Sequence, residues 1–241
     1  MRKDDAVVDS LELGEARREQ YVARMDAAVR RGFIEKVYGI LCVQLAWVFA
    51  VVAALTLSPS ARVFVEQTPA VLGIAVLAYF ASFILLMCCG EEARRKVPTN
   101  YYLLAIFTVA TSLLVGVAAC AYAPLSVGLS TFFTFAIFCF LTAYAHTTKT
   151  DWTVGSVLPS TFLFSLFLLA ATCAFVPASG LMNAVFGFVG AIMFSVYIVV
   201  HTQALLTRLG PDDYVVGALT LFLDLMNLFL ELLRLLGQRE R

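Results

Sequence analysis

Charge is what this sequence has least of. Only 14% of its 241 residues are Asp, Glu, Lys or Arg, against about 25% in an ordinary soluble domain. Hydrophobic residues make up 61% and the mean hydropathy is +0.87, which points to a membrane protein before any motif is read. The formal net charge is zero, so no electrostatic footprint for nucleic acid is present. Histidine is scarcer still: there are two, His146 and His201, too few for a zinc hydrolase built on three histidine ligands. No lysine follows Lys149, which lies in a loop, and this removes a retinal Schiff base from the late spans. Ser195 and His201 are six residues apart and fall on different faces of a helix, so they form no nucleophile–base pair. The expectation is a protein that is not an enzyme. The six cysteines sit in apolar runs without metal or disulfide spacing and read as small hydrophobes. The first 30 residues are rich in charge, which argues against a secretory signal there.

What is abundant is long apolar runs. A membrane helix needs about 20 mostly apolar residues, and seven stretches qualify: 37–57, 70–89, 101–122, 125–145, 157–176, 181–209 and 214–236. The breaks between them are chemically sensible. "SPSARVFVEQTP" and "GEEARRKVPTN" carry charge and proline, and "AYAPLS", "HTTKTDWT", "FVPASG" and "RLGPDD" are short turns. The expected organisation is a charged tail over residues 1–32, a membrane domain over 33–237 and a short tail over 238–241.

Lys and Arg set the orientation. The tail to Lys36 and the loops after the second, fourth and sixth spans hold thirteen, against one (Arg62) on the other side. The N-terminus is therefore expected in the cytoplasm, which is the wrong way round for a G-protein-coupled receptor. Arg234, Arg239 and Arg241 near the end of the chain pull against a full crossing by the seventh span.

Ionisable residues inside the spans are few and local. The first five spans contain none, the sixth contains His201, and the seventh contains Asp224, Glu231 and Arg234. Such groups are costly in lipid and mark functional sites by default. Positions 201 and 224 are nearly equidistant from the "GPDD" turn, so an antiparallel hairpin places them at similar depth, roughly 12 and 15 Å in at 1.5 Å per residue. Asp224, Asn227, Glu231 and Arg234 share one helical face, and that face must point into a bundle or a wet cavity. Structural readings stand beside these. A His–Asp pair also orients two helices, and Glu231 with Arg234 also reads as an interfacial pair with a snorkelling arginine. His146 reads as a solvated residue at a span end. Gly187, Gly190, Ala191 and Phe194 suit close helix packing.

Four stretches are similar to the transmembrane Bax inhibitor motif family, most of all to its lifeguard branch: "FIEKVYGILCVQL", "RRKVPTNYYLLAIFT", "LTAYAHTTKTDWT" and "FLDLMNLFLELLRLLG". The resemblance covers about residues 33–237 in the right order. It implies an all-α seven-transmembrane-helix bundle with the seventh helix central, in the endoplasmic reticulum or Golgi/endosomal membranes. It also implies a pH-sensitive calcium leak and suppression of cell death. Calcium would be a transported or transiently bound ion rather than a cofactor. The partners would be the bilayer and cell-death regulatory membrane proteins.

The family's proposed site is a pair of aspartates. One lies in a pattern matched here by "LDLMNLF", which makes it Asp224, and through it the resemblance implies a calcium ligand. The other lies in a Tyr-Asp-Thr-Gln-like pattern, matched here by "VHTQ", so His201 stands in its place. A basic residue after the second span is the family's latch, for which Arg94 and Arg95 are the candidates. Two carboxylates repel, share a proton and hold a hard cation. An imidazole facing an aspartate attracts instead, and it changes charge near neutral pH. The expectation is an altered pH-responsive gate at His201 and Asp224, with calcium held less well. The alternative is a non-conducting scaffold that acts through residues 1–32.

Overall fold

A computed structural model describes residues 27–88, 96–148 and 180–237. Its elements are all α-helices: α1 (Ala27–Leu57), α2 (Pro59–Gln67), α3 (Pro69–Cys88), α4 (Thr99–Ala119), α5 (Pro124–Thr147), α6 (Gly180–Thr207) and α7 (Tyr214–Leu236). Six of these, all but α2, are long and apolar enough to cross a membrane, and the chain is a multi-pass membrane protein. The expected span at 157–176, the tails 1–26 and 238–241, and the latch candidates Arg94 and Arg95 lie outside the described residues.

The helix boundaries follow local chemistry. Pro59, Pro69 and Pro124 each open a helix, where the missing N–H costs nothing. Ser58 caps α2 by accepting a hydrogen bond from the Ala61 N–H at 3.4 Å. Thr and Ser hydroxyls inside the spans donate back to the preceding turn, as Thr111 does to the Phe107 carbonyl (2.7 Å) and Ser195 to the Ala191 carbonyl (2.7 Å). In a medium without water this is how an isolated hydroxyl is satisfied.

Among the described helices α7 is the most enclosed. In α7, 83% of the spanning window is buried, while no other window exceeds 50%. It packs against α6, α5, α1 and α4. Rings tie the layers together: Phe107 of α4 meets Tyr79 of α3 (4.9 Å between centroids) and Phe222 of α7 (6.0 Å). Phe49 of α1 meets Phe135 of α5 (5.3 Å) and Phe229 of α7 (5.5 Å). The apolar residues left outside, such as Val43, Leu77, Leu125 and Phe140, form the surface that lipid covers.

The end at which α1 and α4 begin is held by polar contacts. The Arg30 guanidinium donates to the Leu206 carbonyl at the last turn of α6, where helix carbonyls lack partners and favour a cation. Asn100 donates to the Tyr214 hydroxyl at 2.8 Å, and the Lys36 ammonium lies 3.3 Å from the centroid of the Tyr214 ring.

Candidate functional site

Helices α6 and α7 form a hairpin closed by residues 208–213. The Asp213 N–H reaches the Gly210 carbonyl (3.0 Å), and the Arg208 N–H reaches the Ala204 carbonyl (2.8 Å), so the chain reverses in a tight turn. At the far end the two helices touch almost backbone to backbone. A Cβ on Gly187 would stand 2.9 Å from the Glu231 carbonyl oxygen and 3.0 Å from the Leu235 nitrogen. The register fixed by the turn and this crossing brings His201 Nδ1 to 2.5 Å from Asp224 Oδ2.

Both side chains are buried, His201 at 5% exposure and Asp224 at none. One proton lies between them. Either Nδ1–H donates to an ionised carboxylate, or a protonated carboxyl donates to a bare Nδ1. The pair therefore carries a net charge of −1 or 0, according to whether it holds one proton or two across Nδ1, Nε2 and the carboxylate. The ring of Tyr197, one turn earlier on α6, lies nearly parallel to the imidazole (5.9 Å between centroids, 19°).

The pair leaves hydrogen-bonding capacity unused. His201 Nε2, Asp224 Oδ1 and Thr202 Oγ1 are buried without a hydrogen-bond partner among the described residues. Next to Thr202, the Tyr38 hydroxyl of α1 faces those of Thr142 and Thr202. These atoms, from α1, α5, α6 and α7, are polar groups buried inside an otherwise apolar bundle. Groups of this kind are served by water or by an ion. A calcium ion takes six to eight oxygen ligands. Among the described residues no group of three His, Cys, Asp or Glu side chains converges; a calcium ion here would have one carboxylate, Asp224, and would need its other oxygens from hydroxyls, carbonyls or water.

The remaining candidates lie further along α7. Glu231 is buried against α6 and pairs with Arg234 at 3.1 Å. Asn227 is half-buried and donates to the Leu223 carbonyl of its own helix at 2.8 Å. The shared face thus divides in two, an Asp224 end that meets His201 and a Glu231–Arg234 end that meets the glycines of α6. His146 is exposed at the last turn of α5.

The sequence reading missed Tyr197, Thr202 and Tyr38. Tyr197 sits four residues before His201, and that spacing alone marks a shared face. Nothing in the sequence pairs Tyr38 with Thr202, because their meeting depends on how α1 crosses α6. A second buried polar contact was also missed: Gln44 of α1 donates to Thr108 of α4 at 2.8 Å.

Comparison with known proteins accords with this architecture. The profile of the family described as "Inhibitor of apoptosis-promoting Bax1" matches residues 30–241. The chain is 28% identical over 227 residues to "Protein lifeguard 3" of Homo sapiens, covering 89% of this chain and 71% of that protein. The mouse (Mus musculus) protein of the same name gives 28% over 227 residues, with 89% and 72% covered. A "BI1-like protein" of Arabidopsis thaliana is 34% identical over 215 residues, covering 88% of this chain and 82% of that one. The match runs across all the described helices, and the chain belongs to the Bax inhibitor motif family, in its lifeguard branch.

Proposed function

We propose that this protein is an endomembrane regulator that restrains cell death and leaks calcium in a pH-responsive way, with the His201–Asp224 pair as its gate. The observation that carries the reading is the 2.5 Å contact between two buried ionisable side chains on the two last helices. A buried pair that gains or loses one proton changes the charge at the centre of the bundle by one unit, in a medium where a charge is expensive. Two atoms of the pair, His201 Nε2 and Asp224 Oδ1, have no hydrogen-bond partner among the described residues, which supports a role for water or an ion at this point. Membership of a family named for inhibiting a death-promoting factor supports the cellular role. In this reading the bundle has seven helices, with 157–176 as the fifth span and α7 central. The N-terminus is cytoplasmic, and the membrane is that of the endoplasmic reticulum or the Golgi/endosomal system.

The test is calcium efflux from liposomes that contain the full chain, measured across pH 5–8. The wild type is expected to show a pH-dependent leak, His201→Gln a flat profile and His201→Asp a profile with a different midpoint. Identical profiles for wild type and His201→Asp would remove His201 as the sensor. A second reading has its own support: no cage of three acidic, Cys or His side chains forms among the described residues. It is a non-conducting scaffold that acts through residues 1–32 on cell-death regulatory membrane proteins. Absence of efflux at every pH, with protection of cells lost when residues 1–32 are deleted, selects it.

A further inference from the structure

Helices α1 and α4 leave a groove between them on the outer surface of the bundle, away from the His201–Asp224 pair. It encloses about 550 Å³, within the range of small-molecule sites. Gly39, Val43 and Trp47 line it from α1, and Tyr101, Ala105 and Val109 from α4. Val43 is 71% exposed and Trp47 50%, so the groove opens outward, where a membrane protein meets lipid tails. At Gly39 an added Cβ would meet nothing within 4 Å. The missing side chain leaves open space there.

The two ends of the groove differ. From Gly39 to Trp47 it is apolar, apart from the buried Gln44–Thr108 contact at its floor. At the Gly39 end stands Lys36, one turn earlier on α1. Its ammonium lies 5.9 Å from the centroid of the Tyr101 ring that closes the groove, and over the Tyr214 ring. Lys36 is exposed, and so is Lys96, just before α4 on the same end. Two acidic groups at this end have partners of their own: Glu35 pairs with Arg31 at 2.8 Å, and Asp213 accepts from the Gly210 N–H at 3.4 Å. The groove therefore offers an apolar channel along some eight residues of helix, about 12 Å, with a cation at its mouth that has no ion pair among the described residues.

We propose that this groove binds one acyl chain of an anionic glycerophospholipid, whose phosphate is met by Lys36. Zwitterionic lipid fits the channel equally well but gains less from the lysine. One lysine at an anionic surface is worth about fivefold in binding, and that is the preference expected.

Trp47 reports on the occupant. The chain has two tryptophans, and Trp152→Phe leaves Trp47 as the only one. The Trp152→Phe chain is reconstituted in phosphatidylcholine vesicles with increasing fractions of acyl-brominated phosphatidylserine or acyl-brominated phosphatidylcholine. Brominated phosphatidylserine is expected to quench Trp47 at about fivefold lower mole fraction. Lys36→Gln should abolish that preference while leaving quenching by phosphatidylcholine unchanged. Gly39→Leu, which fills the groove, should raise the fraction needed for both. Equal quenching by the two lipids in proportion to their abundance would mean ordinary annular lipid and would overturn the proposal. So would a phosphatidylserine preference that survives Lys36→Gln. Quenching by neither lipid would mean that another occupant, such as residues 157–176 or a second copy of the chain, covers Trp47, which also overturns it.

Discussion

Gly190 of α6 lies directly against the side chain of Glu231 on α7: a Cβ on the glycine would stand 2.6 Å from Glu231 Cγ and 2.7 Å from Cδ. Glycine at this point lets a buried carboxylate lie flat on the neighbouring helix while it pairs with Arg234 at 3.1 Å. Gly190→Ala is expected to cost about 1–3 kcal/mol, the usual penalty for overpacking a tight contact. Gly187→Ala should cost more, because the obstacles there are the backbone atoms of Glu231 and Leu235, which no side-chain rotation can move. Gly128→Ala is the control. Nothing lies within 4 Å of its added methyl, and a helical alanine should gain about 0.5–1 kcal/mol over glycine. Thermal unfolding of the three variants in one detergent ranks them.

The His201–Asp224 contact predicts a different pattern. His201→Ala leaves a carboxylate at zero exposure without its partner, and breaking a buried pair on one side costs about 3–5 kcal/mol. Asp224→Asn keeps an acceptor oxygen for Nδ1–H and drops the charge, so it should cost less than His201→Ala. The double variant His201→Ala/Asp224→Ala should be less unstable than the sum of its singles, with a coupling of about 0.5–3 kcal/mol. Additive losses in a double-mutant cycle would show that the two residues stabilise the bundle independently.

Much of this arrangement was readable from residue order, and the reason differs from place to place. Apolar length marked seven spans, and the six that fall on described residues are helices long enough to cross a membrane, because lipid imposes a span length that water-soluble folds do not share. The depth of His201 and Asp224 followed from counting residues away from one turn, since a hairpin fixes depth by sequence distance alone. Helix α2 was read as a break. Its prolines and charges look like a loop, yet Ser58 and Pro59 are a helix start, and its exposed Val63 and Phe64 suit a short helix lying at a surface. Helix α1 begins ten residues before the apolar run at Val37. Arg31 and Glu35 pair at i, i+4, and hydropathy registers such residues only as polar. Lys36 over Tyr214 and Tyr38 beside Thr202 join elements more than 150 residues apart, and no local rule reaches across that distance.

Gln44 and Thr108 offer a test in which removing a polar group should do little harm. Gln44 Nε2 donates to Thr108 Oγ1, but Gln44 Oε1 is buried without a partner among the described residues. The Thr108 hydroxyl is also committed to the Leu104 carbonyl at 2.7 Å. Gln44→Leu removes an amide oxygen whose desolvation costs about 1–3 kcal/mol and gives up one hydrogen bond worth about 1 kcal/mol. Unfolding should show a change between zero and a gain of about 2 kcal/mol. A clear loss of stability would mean that the oxygen is satisfied, by water or by lipid, when the protein is in its membrane.

Tyr214 makes two contacts that can be separated. Its hydroxyl accepts from Asn100 Nδ2 at 2.8 Å, and Asn100 is fully buried. Its ring lies 3.3 Å from the Lys36 ammonium. Tyr214→Phe keeps the ring, so the cation–π contact survives, and removes the acceptor from a buried amide at a cost of about 1–3 kcal/mol. Tyr214→Ala removes both and opens a cavity at the first turn of α7, for a loss of about 3–5 kcal/mol. Lys36→Gln separates the ring contact from the cavity: in the wild type it should cost about 0.5–1 kcal/mol, and in Tyr214→Ala nothing further. If Lys36→Gln costs the same in both backgrounds, its stabilising contact lies elsewhere and the Tyr214 ring is not its partner in solution. Urea unfolding in mixed micelles, with the five chains compared at one detergent concentration, provides the measurement.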